Sequence, residues 1–544
     1  MKMKDRNAAL RKSLGSMASA ETAKTIQNLP KEDTVNRCGA PAYSIADELR
    51  LIGMLNTLKL EPQFYRSENQ TMIELRDLIE RIALKDPYFV AQCIVYSRCK
   101  GEGMRSINHL AAALLAPFIA GQEYAKRFYG AWDKKNDRGG CIYRPDDMSE
   151  IKDVYAALNN SALSNAMKKG FASYIGKMDS YLMTKYKKTV IDIANLVHPK
   201  STATIEIDGK QVNVLNAIMN GINIVADTWE TAQSEAGQEV AKAVREGKLT
   251  KEKAEQVLKE AKENNWKTLL NDGKLGILAA LRNIRNILSV SSDSEVVKKL
   301  CALLSNGELI RKGLIMPYQI DMAYEICRML PGSSEQREVM KALQKGYVDA
   351  VPNLAAALPG KTVVLLDCSG SMNTRCAVPG NPSKRYGSTC CEKAGLIAAT
   401  IAKATNADVV RFGSYAEMTS YNPNEDVFTL AKRLSNMDMG GTNIPAAFDI
   451  LQKKYDRVIL LSDNECNERG WGGSWTSGAY KNYMRRTGAN PYVYAIDLQC
   501  YNTVPLKGER VNYYAGYGFA MFEDIASKEF NPSQHIDKVR KIVI

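Results

Sequence analysis

The sequence predicts a multidomain chain in which an α-helical repeat domain is followed by a doubly wound α/β domain, and three observations carry that expectation. Apolar residues recur at helical spacing almost without a break from Ile45 to about Val351. After Pro352 and the Pro359-Gly360 pair the texture changes to continuous apolar runs of strand length. Helical stretches separate those runs, and buried strands alternating with helices give a mostly parallel sheet covered on both faces. The boundary is expected near 355–360.

Taken in order, the polar and basic N-terminus is expected to be a flexible arm over residues 1–25. Helical spacing then appears in Leu49-Leu51-Ile52-Leu55, in Ile73-Leu75-Leu78-Ile79-Ile82 and in Val90-Cys93-Ile94-Tyr96. It continues in Leu110 to Ile119, Val154 to Leu163, Leu182 to Val197, Leu269 to Leu288 and Met316 to Met329. Short helices joined by short loops form an α-solenoid or an irregular helical array, although no repeat period stands out. Two insertions interrupt the array. Residues Thr204 to Val214 alternate around Asp208-Gly209, a hairpin signal. Ala241 to Asn264 is rich in Lys, Glu and Ala and reads as a solvent-facing helix pair broken at Gly247.

In the last third, the strand-like runs are Lys361 to Asp367, Asp408 to Gly413, Arg457 to Ser462 and Pro491 to Ile496. The helices between and after them are Cys391 to Ala404, Ile444 to Lys454, Ala479 to Arg486 and Met521 to Ser527.

Composition narrows the class. Of 544 residues, 45% are hydrophobic and 24% charged, an ordinary globular profile. No apolar run approaches the ~18 to 20 residues that span a bilayer, and Met1 to Ser13 lacks the apolar core of a secretory signal. A cytoplasmic protein is expected. The twelve cysteines are scattered without a C-x-x-C pair and there are three histidines, so reduced thiols are expected and a zinc site is not. The net charge is +13, of which +9 lies outside residues 361–544. That excess permits a polyanionic partner without requiring one.

Ligands of doubly wound sheets sit beyond the carboxyl ends of the strands, and three polar clusters fall there. Asp367-Cys368-Ser369-Gly370-Ser371 follows the first strand, Gly440-Gly441-Thr442-Asn443 precedes a helix, and Asp463 follows Val458 to Leu461. Hydroxyls and carboxylates are the oxygen donors that Mg²⁺ or Mn²⁺ prefers. The bland alternative is that Asp367 and Asp463 cap helices and satisfy loop amides. The set resembles the metal-ion-dependent adhesion site of von Willebrand factor A domains. That resemblance implies direct contact from Ser369, Ser371 and Thr442, water-mediated contact from Asp367 and Asp463, and an acidic side chain of a partner as the last ligand. The neighbouring loop Thr374 to Thr389, with Arg375, Lys384 and Arg385, is an ordinary surface loop or a gate for that partner.

Asp86 to Arg98 followed by Gly103 to Leu110 resembles the early part of the TROVE domain of the Ro autoantigen family. Trp266 to Asn271 with Leu278 to Asn283 resembles its later helices, and Ile315 to Gln319-Ile320 its final section. The 204–214 and 241–264 insertions depart from the family core. The resemblance spans roughly residues 25–544 and implies a HEAT-like ring of paired helices over 26–357, then a von Willebrand A-type domain over 358–544. It implies binding of small structured noncoding RNAs (Y RNAs) on the outside and of single-stranded ends of misfolded RNAs through the ring. An exoribonuclease partner such as polynucleotide phosphorylase and a monomeric, cytoplasmic ribonucleoprotein are implied with it.

Candidate RNA contacts are Lys168, Lys169, Lys185, Lys187, Lys188, His198 and Lys200, with Arg105 a weaker member. On a helix over 182–197, Met183, Tyr186, Val190, Ala194 and Val197 make a buried stripe that leaves Lys185 and Lys188 on the other face. A solvated helix face is the competing reading. Arg98 and Arg105 can equally serve buried ion pairs. His109, in an apolar run, is expected in the core, and His535 on the surface. No nucleophile–base pair, P-loop or clustered acidic pair for two-metal chemistry is evident, so no enzyme is expected. The rival function is a metal-dependent protein adaptor without an RNA role.

Overall fold

The computed structural model describes residues 20–58, 60–160, 162–207, 209–222, 224, 229–246, 248–290, 294–373, 376–378, 381–386, 388–526 and 534–544. Side chains are described for these except at 229–236, 251, 290, 294, 376–378, 381–386, 526 and 534. Two compact units result. One joins the described residues up to Leu78 with Val351–Lys538; the other joins Ile79–Ala350 with Val539–Ile544.

The first unit is built on a six-stranded sheet: β1 (Thr362–Asp367), β2 (Asp408–Phe412), β3 (Ala416–Thr419), β4 (Arg457–Ser462), β5 (Tyr492–Asp497) and β6 (Val511–Ala515). The order is β3-β2-β1-β4-β5-β6, with only β3 antiparallel. β1 and β4 are buried at every residue, which is why both read as continuous apolar runs and not as alternations. On one face Val363, Leu365, Val458 and Leu460 pack with Phe448, Tyr480 and Tyr483. Helix Cys390–Thr405 packs against β1, opened by a capping box in which Thr389 and Glu392 exchange hydrogen bonds. β3, β6 and helix Val427–Ser435 escape the sequence reading, and the helix expected over Ile444 to Lys454 ends at Asp449.

The N-terminal boundary also differs from expectation. Residues 20–28 are helical, and Ile26 and Leu29 pack on the sheet core, so the flexible arm does not extend through 25. Strand Pro41–Ser44 pairs with Thr503–Val504. Helix Asp47–Thr57 packs on β6, close enough at Gly53 that a Cβ would lie 2.9 Å from Cys500 Sγ. Amphipathic spacing shows that Leu51, Ile52 and Leu55 are buried, but not against which unit.

The second unit is helical. Pro87–Cys99 packs on Ser106–Leu115 and that helix on Asp146–Asn159, while Lys187–Val197 packs on both Asp146–Asn159 and Asn165–Gly176; a second run of mutually packed helices extends from Lys251–Asn271 to Ser334–Ala350. The two runs meet: the Tyr143 hydroxyl donates to the Lys312 carbonyl at 3.2 Å, and the Leu314 side chain lies against Gly103. The expected hairpin is strands Thr204–Ile207 and Lys210–Asn213, and the expected helix pair is Trp229–Arg245 and Lys251–Asn271. Gly247 lies outside the described residues. The single helix expected over 182–197 is two, Ser180–Lys185 and Lys187–Val197, broken at Tyr186 (φ −104°, ψ 31°). Its buried side is Met183, Thr184, Val190, Ile193 and Ala194, while Tyr186 and Val197 are half-buried. The Tyr186 hydroxyl accepts a hydrogen bond from Arg144 at 3.1 Å, which holds the break in place. No helix among the described residues is long and apolar enough to cross a membrane.

Candidate metal centre and basic helical face

The sheet order reverses between β1 and β4, which opens a crevice at their carboxyl ends. Asp367 closes β1 and Asp463 follows β4, both fully buried. Asp367 accepts the Ser369 backbone N–H at 2.9 Å and the Ser462 hydroxyl at 2.5 Å. The Ser369 and Ser371 hydroxyls are 3.2 Å apart. Thr442 is brought in by its loop: Gly370 N–H donates to the Gly440 carbonyl at 2.9 Å and Met439 N–H to the Cys368 carbonyl at 2.8 Å. Thr442 is itself buried, with its N–H on Asn467 Oδ1 at 2.8 Å. Asp367, Ser369, Ser371 and Asp463 are thus neighbours in one buried cluster, and the loop that carries Thr442 is tied to the first of their loops by backbone hydrogen bonds.

Sequence reasoning missed the residues around them. The Gln499 amide donates to the Ser371 carbonyl and to Asp463 Oδ2, both at 3.3 Å, and its oxygen accepts from Tyr501 at 2.8 Å. Asp497, closing β5, accepts the N–H groups of Gln499 and Cys500 at 3.0 and 2.7 Å. Glu465 is buried and accepts the Arg37 N–H at 2.8 Å. Only Asp497 carried a legible signal, as the polar end of a predicted strand. Of the loop Thr374 to Thr389, strands Cys376–Val378 and Asn381–Tyr386 form a hairpin, whereas Thr374 and Arg375 lie outside the described residues, as do the side chains of Lys384 and Arg385.

Electrostatics favour a cation here. Burial pushes the carboxyls of Asp367 and Asp463 up, and the charge of Asp463 raises Asp367 further. Burial likewise raises Asp497 to about 7 and Glu465 to about 8. Among the described residues no group of three His, Cys, Asp or Glu side chains is arranged as metal ligands, so a site here must use hydroxyl oxygens. Two carboxylates and three hydroxyls are a donor set that fits a hard divalent ion, and the desolvated, mutually repelling carboxylates are what such an ion would relieve. A pH dependence follows. Unfolded carboxyls, with pKa values near about 4, are ionised throughout the neutral range. Folded Asp497 and Glu465 keep their protons up to about 7 and 8. The folded state thus binds more protons, and stability falls as pH rises through that window. Thermal unfolding in EDTA is expected to show a midpoint that falls between about pH 5 and 8 and levels off above, with Mg²⁺ restoring it; a flat profile contradicts this.

In the helical unit, Lys169, Lys185, Lys188, His198 and Lys200 are exposed and Lys168 and Lys187 half-exposed. Helices Asn165–Gly176 and Lys187–Val197 pack together, and Gly176 lets the Lys200 carbonyl approach to where a Cβ would be 2.8 Å away. Lys168, Lys169, Lys188, His198 and Lys200 make no ion pair among the described residues. Lys185 lies over the Tyr181 ring at 5.5 Å, and Lys187 reaches the Ile222 carbonyl at 3.4 Å. His198 ends its helix in the left-handed region (φ 46°).

Arg105 is placed differently: its guanidinium is bound to Asp146 at 2.8 Å. Arg98 is buried on Asp147, and His109 is the satisfied core histidine expected, 2.9 Å from Asp147. His535 departs from expectation; its side chain is largely covered and lies 3.3 Å from Asp524.

No family model matches the chain, and no curated protein matches it at a significant level. Among solved structures, the Ro (RSR) protein of Deinococcus radiodurans matches over 88% of this chain and 98% of its own, with 17% identity and a TM-score of 0.52. The two-unit fold, helices followed by a doubly wound sheet, is thus shared with that protein.

Proposed function

We propose, for a chain that has the fold of the Deinococcus radiodurans Ro protein, a role as a noncoding-RNA-binding scaffold in RNA quality control or decay. The observation that carries this reading is the exposed basic set Lys169, Lys185 and Lys188 on packed helices of the helical unit, with His198 and Lys200 just past the end of one of them. Lysines without carboxylate partners are free to neutralise phosphates and release counterions. The RNA expected is small and structured, Y RNA-like, with single-stranded RNA ends as a second class of ligand. An exoribonuclease such as polynucleotide phosphorylase would act on what the scaffold delivers, and the protein itself would be non-catalytic, monomeric and cytoplasmic.

The crevice beyond β1 and β4 serves a different purpose in this reading. Asp367, Ser369, Ser371, Thr442 and Asp463 would hold Mg²⁺ or Mn²⁺, a Lewis acid that binds an acidic side chain of a partner. Asp367 and Asp463 would hold its waters, and the Gln499 amide donates to Asp463.

Because the two sites lie in different units, they separate by mutation. In a mobility shift with a structured small RNA carrying a single-stranded 3′ tail, Asp367→Ala is expected to bind like wild type. Loss of RNA binding in a folded Asp367→Ala protein would move the RNA site to the sheet unit and contradict the proposal.

A further inference from the structure

We propose that Gln499 is a positioning residue of the metal centre, its amide turned toward Asp463 by Tyr501 and by the Gln63–Arg66 segment that grips Tyr501. The inference rests on the divalent-metal reading of the crevice, in which Asp463 holds the ion's waters, and it names what holds Asp463. Every residue involved belongs to the sheet unit.

The local backbone brings Gln499 into place. β5 ends at Asp497, whose carboxylate accepts the Gln499 and Cys500 N–H groups at 3.0 and 2.7 Å. Cys500 (φ 50°) and Asn502 (φ 81°) then both lie in the left-handed region, which residues other than glycine seldom enter. Such backbone persists only where its surroundings fix it, and here they do. Arg66, whose side chain is shut off from solvent, donates to the Gln499 carbonyl at 3.1 Å, and Gln63 donates to the same oxygen at 3.4 Å. The Arg66 and Arg37 guanidinium groups lie 5.2 and 5.5 Å from the centre of the Tyr501 ring, within cation–π range. Glu74 pairs with both arginines and accepts the Asn502 amide at 2.9 Å.

A primary amide can sit either way round, and its hydrogen-bond partners decide which. The Tyr65 N–H donates to the Tyr501 hydroxyl oxygen at 3.4 Å. Burial pushes that hydroxyl well above its ordinary range, so it keeps its proton, and Gln499 Oε1 accepts it at 2.8 Å. With its oxygen engaged by Tyr501, the amide presents its nitrogen to Asp463 Oδ2 and to the Ser371 carbonyl, both at 3.3 Å. Turned round, it would set an oxygen against two acceptors. Asp463 Oδ1 accepts the Glu465 N–H at 3.3 Å. The carboxylate is therefore held at both oxygens, once from its own strand end and once by Gln499. Partners of this kind fix the orientation of a metal site's carboxylates, and losing one costs about 10- to 100-fold in metal affinity.

The test uses full-length protein stripped with EDTA and titrated with Mn²⁺ by calorimetry, with thermal unfolding in EDTA to show that each variant is folded. Gln499→Met keeps the length of the side chain and removes its donors; it is expected to bind Mn²⁺ at least about tenfold more weakly. Tyr501→Phe keeps the ring that the arginines face and removes the O–H, so the amide is free to turn. It is expected to weaken binding by roughly threefold, less than Gln499→Met because it acts through Gln499. In the Gln499→Met background, adding Tyr501→Phe is expected to change nothing, whereas a role in folding alone gives the same loss in both backgrounds. Wild-type affinity in Gln499→Met, or that equal loss, overturns the proposal and leaves the metal reading standing. If Gln499→Met does not fold, Tyr501→Phe decides alone, and wild-type affinity in it overturns the proposal. Absence of Mn²⁺ binding in wild type, or undiminished binding in Asp367→Ala, overturns the metal reading and the proposal with it.

Discussion

Asp147→Ala is expected to destabilise the helical unit by about 3–5 kcal/mol, the range for an ion pair broken inside a protein. Asp147 opens helix Asp146–Asn159 and is fully buried. It accepts Arg98 Nη2 at 2.8 and 2.9 Å, His109 Nε2 at 2.9 Å, and the N–H groups of Tyr143 and Arg144 at 3.0 and 2.9 Å. Truncation strands the Arg98 guanidinium, whose side chain is 4% exposed, and leaves two N–H donors unmet. Hydrogen bonds from His109 and the charge of Arg98 hold the carboxyl well below its usual range of 3.8. Its contribution is therefore complete above that value and is lost as pH falls further. Urea unfolding monitored by circular dichroism measures the change, and a loss below about 1 kcal/mol, the size of an exposed pair, would contradict the account.

The second large effect concerns RNA. Lys185→Glu/Lys188→Glu is expected to weaken binding of a tailed structured RNA by on the order of 10–100-fold near physiological salt, with the salt dependence shallower by about two phosphate contacts. Both side chains are exposed and flank the break at Tyr186, so reversal should leave the fold intact. Lys454→Glu, exposed in the sheet unit, is the control and is expected to bind as wild type. Filter binding at several salt concentrations distinguishes the two variants, and equal affinities would refute the assignment.

The parts of the fold that were legible share a physical cause. β1, β4 and β5 are covered on both faces, so their apolar runs announce them and the polar residues at their ends stand out. Asp367, Ser369, Ser371 and Asp463 could be named because each lies within a few residues of such an end, and Thr442 because its Gly-Gly-Thr-Asn loop opens a helix. β3 and β6 were silent: β3 is a half-buried edge strand, and Val511–Ala515 is neither a continuous apolar run nor an alternation, being buried at Val511, Tyr514 and Ala515 and partly exposed at the two residues between. Gln499, Tyr501 and Glu465 were invisible as site residues because tertiary contacts with Arg37, Arg66 and Tyr65 define their roles. The same limit placed residues 26–78 with the wrong partner, since spacing reveals a buried face and not what covers it. At Tyr186 a continuous periodicity hid a break that a hydrogen bond from Arg144 maintains. Arg105, a weaker RNA candidate that could equally serve an ion pair, is held by Asp146, 41 positions on.

RNA binding by wild-type protein, followed at two salt concentrations with and without EDTA, tests the central claim most directly. The account predicts affinity that falls steeply with salt, because lysine–phosphate contacts release counterions, and that is indifferent to chelator, because the metal centre lies in the other unit. Absence of salt-sensitive binding, or binding abolished by EDTA, would contradict it and leave a metal-dependent protein adaptor as the better description.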